Sequence, residues 1–421
     1  MLIHDLLGPT GHPGPLRTDL ALIAGMSPDL ACRPLPADTG RRRAAPRITA
    51  VVLTHDEEHA IGACLDALTR DVDEVLVVDS GSSDRTLAVV AAHPLRTRVV
   101  HAPWQEDFAR QRNLALDHVR DGWVLMVDAD EVLDPGSAGT IRRAAALLDR
   151  LLPGTELAAC PLIVDDHDPG GRYPDLPRLL RARTALRYRG RVHERPYDTG
   201  GNAPPTVHLT SLLRHHGYHP DVVSAKGKHE RHSRLIALSL AEEPDNPKWA
   251  FYQARAELPG CTGPDAARSL FGRLAAATAP DGPAACDYTH ERRQDTWALL
   301  CELALRFGGT DEIDTYTGLL EAGGRGAEAA YYRVFVTMSR SLRVLARLTD
   351  TAGGAVQRAA PADVRTRGRL HELHGLLALA AGRYEHVQAA LRAASGHGAG
   401  TYLAAELERL RKSIGAEAPI H

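Results

Sequence analysis

Residues 74–84 read EVLVVDSGSSD and run directly into the helix-like stretch RTLAVVAA. A β-branched apolar run stops at Asp79, breaks into small residues at Ser80 and Gly81, and then changes to a helical period. The same alternation begins at Arg47 and continues for roughly a hundred residues. Short strands separated by longer helices predict βαβ units in a mostly parallel sheet.

Acidic residues end two of these predicted strands. Asp79 ends the first, and WVLMVDADEVL, residues 123–133, ends its apolar run at Asp128 and Asp130. Because ligands of open parallel sheets bind at the carboxyl ends of the strands, Asp79 and Asp128 are predicted to face one crevice. Asp128 and Asp130 are separated by a single residue at a strand end. Two carboxylates this close need water, hydrogen-bond donors or a divalent cation. A solvated acidic turn is the alternative for an isolated pair, but a crevice shared with DSGSSD favours the cation.

The pattern divides the chain into three predicted parts. Residues 1–46 are rich in proline, glycine and arginine and are expected to form an extension outside the main core. Residues 47–220 form the sheet domain, in which strands and loops without intervening helices follow Leu157. Residues 221–421 are predicted to be helical, and Gly375–Ser395 has the spacing of a tetratricopeptide-like helix-turn-helix.

Composition narrows the class of protein. The chain of 421 residues has 44% hydrophobic residues and a formal net charge of -3, which is typical of a soluble globular protein and implies no nucleic-acid partner. No stretch approaches the apolar length of a membrane span, and the start does not resemble a secretory signal. The six cysteines form no CxxC pair, so reduced thiols and a cytoplasmic location are expected.

Four stretches resemble the successive signatures of family-2 glycosyltransferases. They are LTHDEE, VVDSGSSD, ARQRNLAL and VDADE, in that order across residues 47 to about 135. The resemblance implies a Rossmann-like GT-A fold, here a mixed sheet followed by an all-helical, tetratricopeptide-like domain. It also implies transfer with inversion, a nucleotide-diphosphate sugar donor that is UDP-linked, and a divalent cation, Mg or Mn.

The resemblance assigns donor contacts to residues of all four stretches. These residues are Thr54, Asp56, Glu57, Asp79, Ser80, Gly81, Arg112, Asn113, Asp128, Ala129 and Asp130. Asp79 would accept hydrogen bonds from the base or ribose while the small residues after it let the backbone pass close by. Asp130 would bind the metal directly.

A later stretch, residues 176–197, resembles one subset of these transferases, with an arginine-bearing strand before a His-Glu pair. This stretch adds Arg178 and His193, and the next similar stretch, residues 213–247, adds His215, Lys228 and Arg231. The arginines and Lys228 are basic residues suited to the departing diphosphate. His215 is the late histidine that would contact the metal, with His193 as a second candidate.

Inversion requires a base on the face opposite the leaving diphosphate, within reach of the acceptor. Glu194 is the first candidate because it follows the last substrate-facing strand. Glu131, next to the predicted metal ligand, is the alternative, and Asp175 is a third candidate.

The helical region bears on the acceptor. A GT-A domain followed by tetratricopeptide-like helices resembles the bacterial peptide S-glycosyltransferases that modify bacteriocin precursors, and also the cytoplasmic transferases of lipopolysaccharide cores. Helical arrays form concave surfaces that suit extended peptides. A Cys, Ser or Thr side chain of a peptide or protein is therefore the first predicted acceptor, and a saccharide or lipid-linked saccharide the second. A homodimer through the helical domain is compatible with the same pattern.

Other classes of function fit less well. DADEV also matches the nucleophile signature of haloacid-dehalogenase-like phosphatases, but no lysine lies between Asp130 and the pair Asp165 and Asp166. A dinucleotide oxidoreductase would need GxGxxG after the first strand, where LTHDEE stands. A non-catalytic helical scaffold with a relic nucleotide pocket stays open as the alternative of another class.

Overall fold

The computed structural model describes residues 2, 3, 5, 15–36, 44–166, 171–216, 228–278 and 286–413. The strands are β1 Ile23–Met26, β2 Ile48–Thr54, β3 Glu74–Asp79, β4 Thr97–His101, β5 Trp123–Asp128, β6 Glu131–Leu133, β7 Ala158–Asp165, β8 Arg172–Tyr173, β9 Leu179–Arg181, β10 Arg187–Arg189, β11 Arg195–Tyr197 and β12 Thr206–His215. The α-helices are α1 Pro15–Leu20, α2 Pro28–Ala31, α3 Ile61–Leu68, α4 Thr86–Ala92, α5 Phe108–His118, α6 Thr140–Leu151, α7 Lys228–Glu242, α8 Pro247–Glu257, α9 Pro264–Ala277, α10 Asp287–His290, α11 Arg293–Phe307, α12 Thr310–Ala322, α13 Gly326–Arg358, α14 Val364–Ala380, α15 Tyr384–Gly396 and α16 Thr401–Ser413.

Ten of the strands form one mixed sheet, in the order β1-β12-β7-β9-β5-β2-β3-β4 with β6 beside β12 and β8 beside β7. The block β5-β2-β3-β4 is parallel, as the alternating pattern predicts. β9 lies antiparallel between β5 and β7 and so joins the parallel block to the strands that follow residue 157. The predicted α/β fold with a mixed extension is confirmed.

Both faces of the parallel block are buried, which explains why its strands are apolar runs and not alternating ones. Ala50 and Val52 of β2 join the larger core cluster with α3 and α6, whereas Val51 joins a second cluster with α5. All three side chains are fully buried.

The N-terminal segment is part of the core, so the expectation that it lies outside is wrong for its described residues. β1 pairs antiparallel with β12 and extends the sheet. Leu30 is fully buried in the same cluster as Ile48. Residues 1–46 have too few apolar residues to show the hydrophobic periodicity of a strand or helix. The short strand β1 is nevertheless enough to cover part of the edge of β12.

The described residues fall into two compact units, one within 1–260 and 273–293 and the other within 261–272 and 294–421. The first contains the sheet together with α7, α8 and α10, and the second is helical. The predicted domain boundaries at residues 46 and 220 stay predictions.

In the second unit the predicted helix-turn-helix is present as α14 and α15, which pack against each other. Gly382 makes the turn with a φ of 73°. Gly375 lies where a Cβ would stand 2.3 Å from Leu403 Cδ2, so the glycine permits close helix packing. Within the described part of the chain, no helix has both the length and the apolar character that crossing a bilayer requires.

Candidate active site

The predicted acidic strand ends lie at the same edge of the sheet. Thr54 of β2 is in register with Asp79 of β3, and Leu53 is in register with Asp128 of β5. Thr54 and Asp79 are buried, and Thr54 Oγ1 has no hydrogen-bond partner. The sheet therefore brings three of the predicted donor contacts to one place.

The carboxylate of Asp79, the last residue of β3, stabilises the turn that follows this strand. The Asp79 carboxylate accepts hydrogen bonds from the backbone N–H of Gly81, at 3.1 Å, and of Ser82, at 3.2 Å. Gly81 has a φ of 107°, which a side chain rarely permits. Ser80 donates from both its backbone N–H and its hydroxyl to Thr54 O, at 3.0 Å each. The turn is thus built to hold its backbone beside the end of β2.

Asp56 links the loop after β2 to the same turn. Its carboxylate accepts from the backbone N–H of Ser83 at 2.7 Å and of Asp84 at 3.2 Å, and its own N–H donates to Ser82 Oγ at 3.0 Å. The bond from Ser83 holds the pKa of Asp56 below its usual range, although partial burial acts in the opposite direction. Next in sequence, Glu57 donates its N–H to Thr86 Oγ1 at 2.7 Å. The two loops therefore form one hydrogen-bonded wall.

A buried charge cluster lies beside this wall. Arg112 donates to Asp128 Oδ1 at 2.9 Å and to Glu194 Oε1 at 2.7 Å. Arg178 donates to Asp128 Oδ2 at 3.0 Å and to Glu131 Oε1 at 2.5 Å. The other oxygen of Glu131 accepts from the backbone N–H of Asp128 at 3.0 Å. Two guanidinium groups thus join three carboxylates from β5, β6 and the loop before β11.

Within the cluster, the pKa values of Asp128 and Glu131 are shifted in opposite directions. Burial would raise the pKa of Asp128, but the charges of Arg178 and Arg112 outweigh it and hold that pKa well below its usual range. Burial raises the pKa of Glu131 to about 7, because Arg178 only partly offsets it and the Asp128 charge adds to it. The two guanidinium groups therefore favour the ionised form of Asp128, whereas burial favours the neutral form of Glu131.

Asp130 and His215, two of the predicted metal ligands, lie next to each other. β6 pairs with the end of β12, so that Glu131 is in register with His215, and His215 Nε2 lies 3.3 Å from Asp130 Oδ1. Burial would lower the pKa of His215, but the hydrogen bond and charge of Asp130 raise it above its usual value. Ala129, between the two aspartates, is buried in the larger core cluster.

A divalent cation fits this pair on donor chemistry. Asp130 offers a carboxylate and His215 an imidazole, and Mg²⁺ is commonly held by one or two carboxylates together with substrate phosphates and water. Among the described side chains, no group of three His, Cys, Asp or Glu is arranged to hold a metal. A cation here would therefore take its remaining ligands from the donor and from water.

The other predicted residues have different surroundings. His193 does not join the metal pair: its ring stacks on Tyr252 at 3.9 Å, and burial is the main cause that lowers its pKa to about 3. Asn113 exchanges both hydrogen bonds of its amide with the backbone of Tyr188, at 2.9 and 2.8 Å, and so fixes β10 to α5. Sequence spacing could not predict the contact of His193 with Tyr252 or that of Asn113 with Tyr188, because each joins residues far apart in the chain.

Two predicted basic residues lie on α7. Lys228 begins the helix, but its side chain lies outside the described residues. Arg231 is half-buried on the same helix.

Sequence reasoning missed Lys248 and Glu291, which form a buried ion pair next to the His-Glu loop. One signal was present: the sequence has only four lysines, at positions 226, 228, 248 and 412, among 50 basic residues. This rarity singles out four positions, of which Lys412 is exposed, so it does not by itself identify the buried pair.

Comparison with known proteins agrees with this geometry. A family model described as "Glycosyl transferase family 2" matches residues 49–203. The SPbeta prophage-derived glycosyltransferase SunS of Bacillus subtilis (strain 168) is 26% identical over 323 residues, which cover 73% of this chain and 71% of SunS. The lipopolysaccharide core biosynthesis glycosyltransferase LpsC of Rhizobium meliloti (strain 1021) is 30% identical over 220 residues, covering 48% of this chain and 74% of LpsC.

A solved structure, S. aureus TarS 1-349, covers 82% of this chain and 90% of its own with 13% identity and a TM-score of 0.32. A score this low says nothing about individual residues. The family model spans the parallel block and most of the strands after it, and it ends before the helical part of the chain.

Proposed function

The chain belongs to glycosyl transferase family 2 and is a glycosyltransferase, and from this premise we propose that it glycosylates a peptide or protein side chain. The proposed donor is a nucleotide-diphosphate sugar, UDP-linked, and the proposed acceptor is the side chain of Cys, Ser or Thr. The observation that carries the donor part of the proposal is the meeting of Thr54, Asp79 and Asp128 at one sheet edge, beside Asp130 and His215.

The wall formed by the loops after β2 and β3 suits the nucleotide. Thr54 Oγ1 is buried without a partner, and a buried hydroxyl without a hydrogen bond is costly. A bound nucleotide would supply that partner at the end of β2. Asp79 and Gly81 would then shape the turn that contacts the base or ribose, as the family resemblance implies.

The charge of the site supports a requirement for a divalent cation. Arg112 and Arg178 bring two positive charges, whereas Asp128, Glu131 and Glu194 are three acids. Because both guanidinium groups are already paired with carboxylates of the cluster, they leave no net positive charge to balance a diphosphate. Asp130 and His215 would hold Mg or Mn, which would neutralise the departing diphosphate. Arg231 on α7, and Lys228 before it, stay proposed contacts to the same group.

Glu194 is the proposed base. Its side chain is 11% exposed and its carboxylate is oriented by Arg112. Glu131 is 1% exposed and is hydrogen-bonded at both oxygens, so we assign it the role of holding Arg178 and Asp128 in place. Asp175 is engaged by Arg195 at 2.8 Å.

The reaction then balances as an inverting displacement. The acceptor sulfur or oxygen forms a bond to the anomeric carbon on the face opposite the diphosphate. The bond from that carbon to the diphosphate oxygen breaks, and the electron pair leaves with the nucleotide diphosphate. Glu194 takes the proton from the acceptor.

The length of the SunS alignment favours acceptor recognition that involves the helical part. The alignment spans 323 residues, which is longer than the stretch matched by the family model, residues 49–203. The similarity to SunS is therefore not confined to that stretch. LpsC gives the second candidate, a saccharide acceptor, since its printed name places it in lipopolysaccharide core biosynthesis. That alignment covers 48% of the chain, against 73% for the SunS alignment.

The test offers the protein a choice of donors and acceptors. UDP-glucose, UDP-N-acetylglucosamine and GDP-mannose are each supplied with Mg²⁺ or Mn²⁺ and peptides that carry a single Cys, Ser or Thr. A parallel arm supplies an oligosaccharide. Release of the nucleotide diphosphate reports use of the donor, and the mass of each acceptor reports transfer.

A mass increase on a peptide that matches one sugar of the donor used, lost in Asp130→Ala, is the expected result. Asp134→Ala is the matched control, because this nearby acid pairs with Arg214 and not with His215. A mass increase on the oligosaccharide alone would replace the peptide with the second candidate. Transfer that survives both Asp130→Ala and removal of the metal by EDTA would overturn the proposed cation site.

A further inference from the structure

The loop that carries Glu194 joins β10 to β11 and has an unusual backbone. Its residue before the glutamate, His193, has a φ of 53°, a left-handed conformation that residues other than glycine adopt rarely. Gly190, at the start of the loop, has a φ of 100°, and a Cβ there would lie 3.0 Å from Trp249. The direction of the Glu194 side chain therefore depends on whatever holds His193 in this conformation.

Lys248 of α8 contacts that backbone directly. Its ammonium donates to the carbonyl oxygen of His193 at 3.2 Å. The lysine side chain is completely buried, and its charge is balanced by Glu291 Oε2 at 2.6 Å. The ammonium also lies 4.9 Å from the ring centres of both Trp249 and Tyr288. Lysine is almost never fully buried unless it is paired, and the two neighbouring rings add cation–π attraction to the ion pair.

Glu291 holds the strand on the other side of Glu194. Its carboxylate accepts from the hydroxyl of Tyr197 at 2.8 Å and lies 3.5 Å from the guanidinium of Arg195, and both residues belong to β11. Arg292 lies 3.2 Å from the same carboxylate and donates to Tyr252, on which His193 is stacked. The ion pair is thus connected to the residue before Glu194 and to the strand after it.

We propose that Lys248 and Glu291 are positioning residues that fix the loop backbone so that the Glu194 carboxylate lies against Arg112. This rests on the proposed function of Glu194 as the base. Neither residue touches the substrate in this arrangement. Each acts through the loop, Lys248 on the carbonyl before the glutamate and Glu291 on the strand after it.

Lys248→Met is the variant that tests the proposal. Methionine fills a similar apolar volume but cannot donate to His193 O. The charges permit the change, because Lys248, Arg195 and Arg292 are three cations that face two carboxylates, Glu291 and Asp175. Removing one cation therefore leaves no carboxylate without a partner.

We expect kcat of Lys248→Met to fall by about tenfold to a hundredfold, the size expected for a misplaced reacting group. KM for the donor should change less than about twofold, because the contacts of Lys248 with His193, Glu291 and the two rings lie outside the nucleotide wall. Amide hydrogen exchange in residues 190–197 should become faster.

Ala254→Gly is the matched control. Ala254 is a buried residue of the same helix, and its methyl side chain makes no ring or polar contact of the kind that holds His193. The change should lower the stability of α8 by about 0.5–1 kcal/mol but leave kcat within about twofold of the wild type. Equal losses of kcat in the two variants, or unchanged hydrogen exchange in Lys248→Met, would overturn the positioning role. If the wild-type protein uses no donor at all, the proposed function fails, and hydrogen exchange alone then decides whether Lys248 fixes the loop.

Discussion

Asp128 and Glu194, which are far apart in sequence, are held by the same guanidinium group. Arg112 Nη2 lies 2.9 Å from Asp128 and its Nε lies 2.7 Å from Glu194. One residue therefore sets the distance between the strand end that faces the donor and the proposed base. The arginine is 6% exposed, so neither contact can be replaced easily by water.

Arg112→Ala should destabilise the fold and abolish transfer, because it leaves two carboxylates without their shared partner. We expect a loss of about 3–5 kcal/mol in the free energy of unfolding, the usual effect of removing one member of a buried ion pair. Urea denaturation measures this. Arg187→Ala is the control, since Arg187 and its partner Asp117 are both well exposed and the pair should contribute less than about 1 kcal/mol. Equal losses in the two variants would contradict the bridging role.

Thr54→Val tests whether the buried hydroxyl is reserved for the donor. Removing an unpaired buried hydroxyl should leave the free energy of unfolding unchanged or raise it by up to about 1 kcal/mol. Loss of one hydrogen bond should weaken UDP binding by roughly fivefold to tenfold in calorimetric titration. Thr86→Val is the contrasting variant, because Thr86 Oγ1 accepts from Glu57 N–H at 2.7 Å and its loss should lower stability. UDP binding unaffected by Thr54→Val would place the nucleotide elsewhere.

Sequence patterns predicted the strand ends because they are local. Asp79 and Asp128 each end an apolar run, and parallel pairing then places such ends at one edge. Local patterns could not predict contacts between side chains that are far apart in the sequence. His193 matched a metal position in sequence, yet its stacking on Tyr252 depends on where α8 packs. Asn113 matched a donor contact, yet its amide is engaged by the backbone of β10.

His193 should make stability depend on pH. Its folded pKa of about 3 lies below the ordinary value of 6.5, so the unfolded chain binds the proton more readily between these values. Stability from this group is therefore present above the ordinary pKa and is lost as the pH falls, at a rate of up to about 1.4 kcal/mol per pH unit.

His193→Asn removes this dependence while keeping a residue that tolerates the left-handed backbone. The free energy of unfolding, measured by urea denaturation at a series of pH values, should fall less steeply with acid than in the wild type. His59→Asn is the control, because the His59 side chain is 95% exposed. A wild-type slope in His193→Asn would mean that the imidazole is not buried as described.

Gly375→Ala should disrupt the packing of the α14–α15 hairpin. The added methyl group would lie 2.3 Å from Leu403 Cδ2 on α16 and 3.0 Å from Ala390 Cβ on α15. The Leu403 side chain would have to move and α15 to shift slightly, at a cost of about 1–3 kcal/mol. Gly318→Ala is the matched control in α12 of the same unit, where a Cβ meets nothing within 4 Å. That change should stabilise its helix by about 0.5–1 kcal/mol, because alanine loses less backbone entropy than glycine. Hydrogen exchange in residues 364–413 distinguishes the two: it should become faster in Gly375→Ala and not in Gly318→Ala, and the opposite result would show that the helices do not approach each other at Gly375.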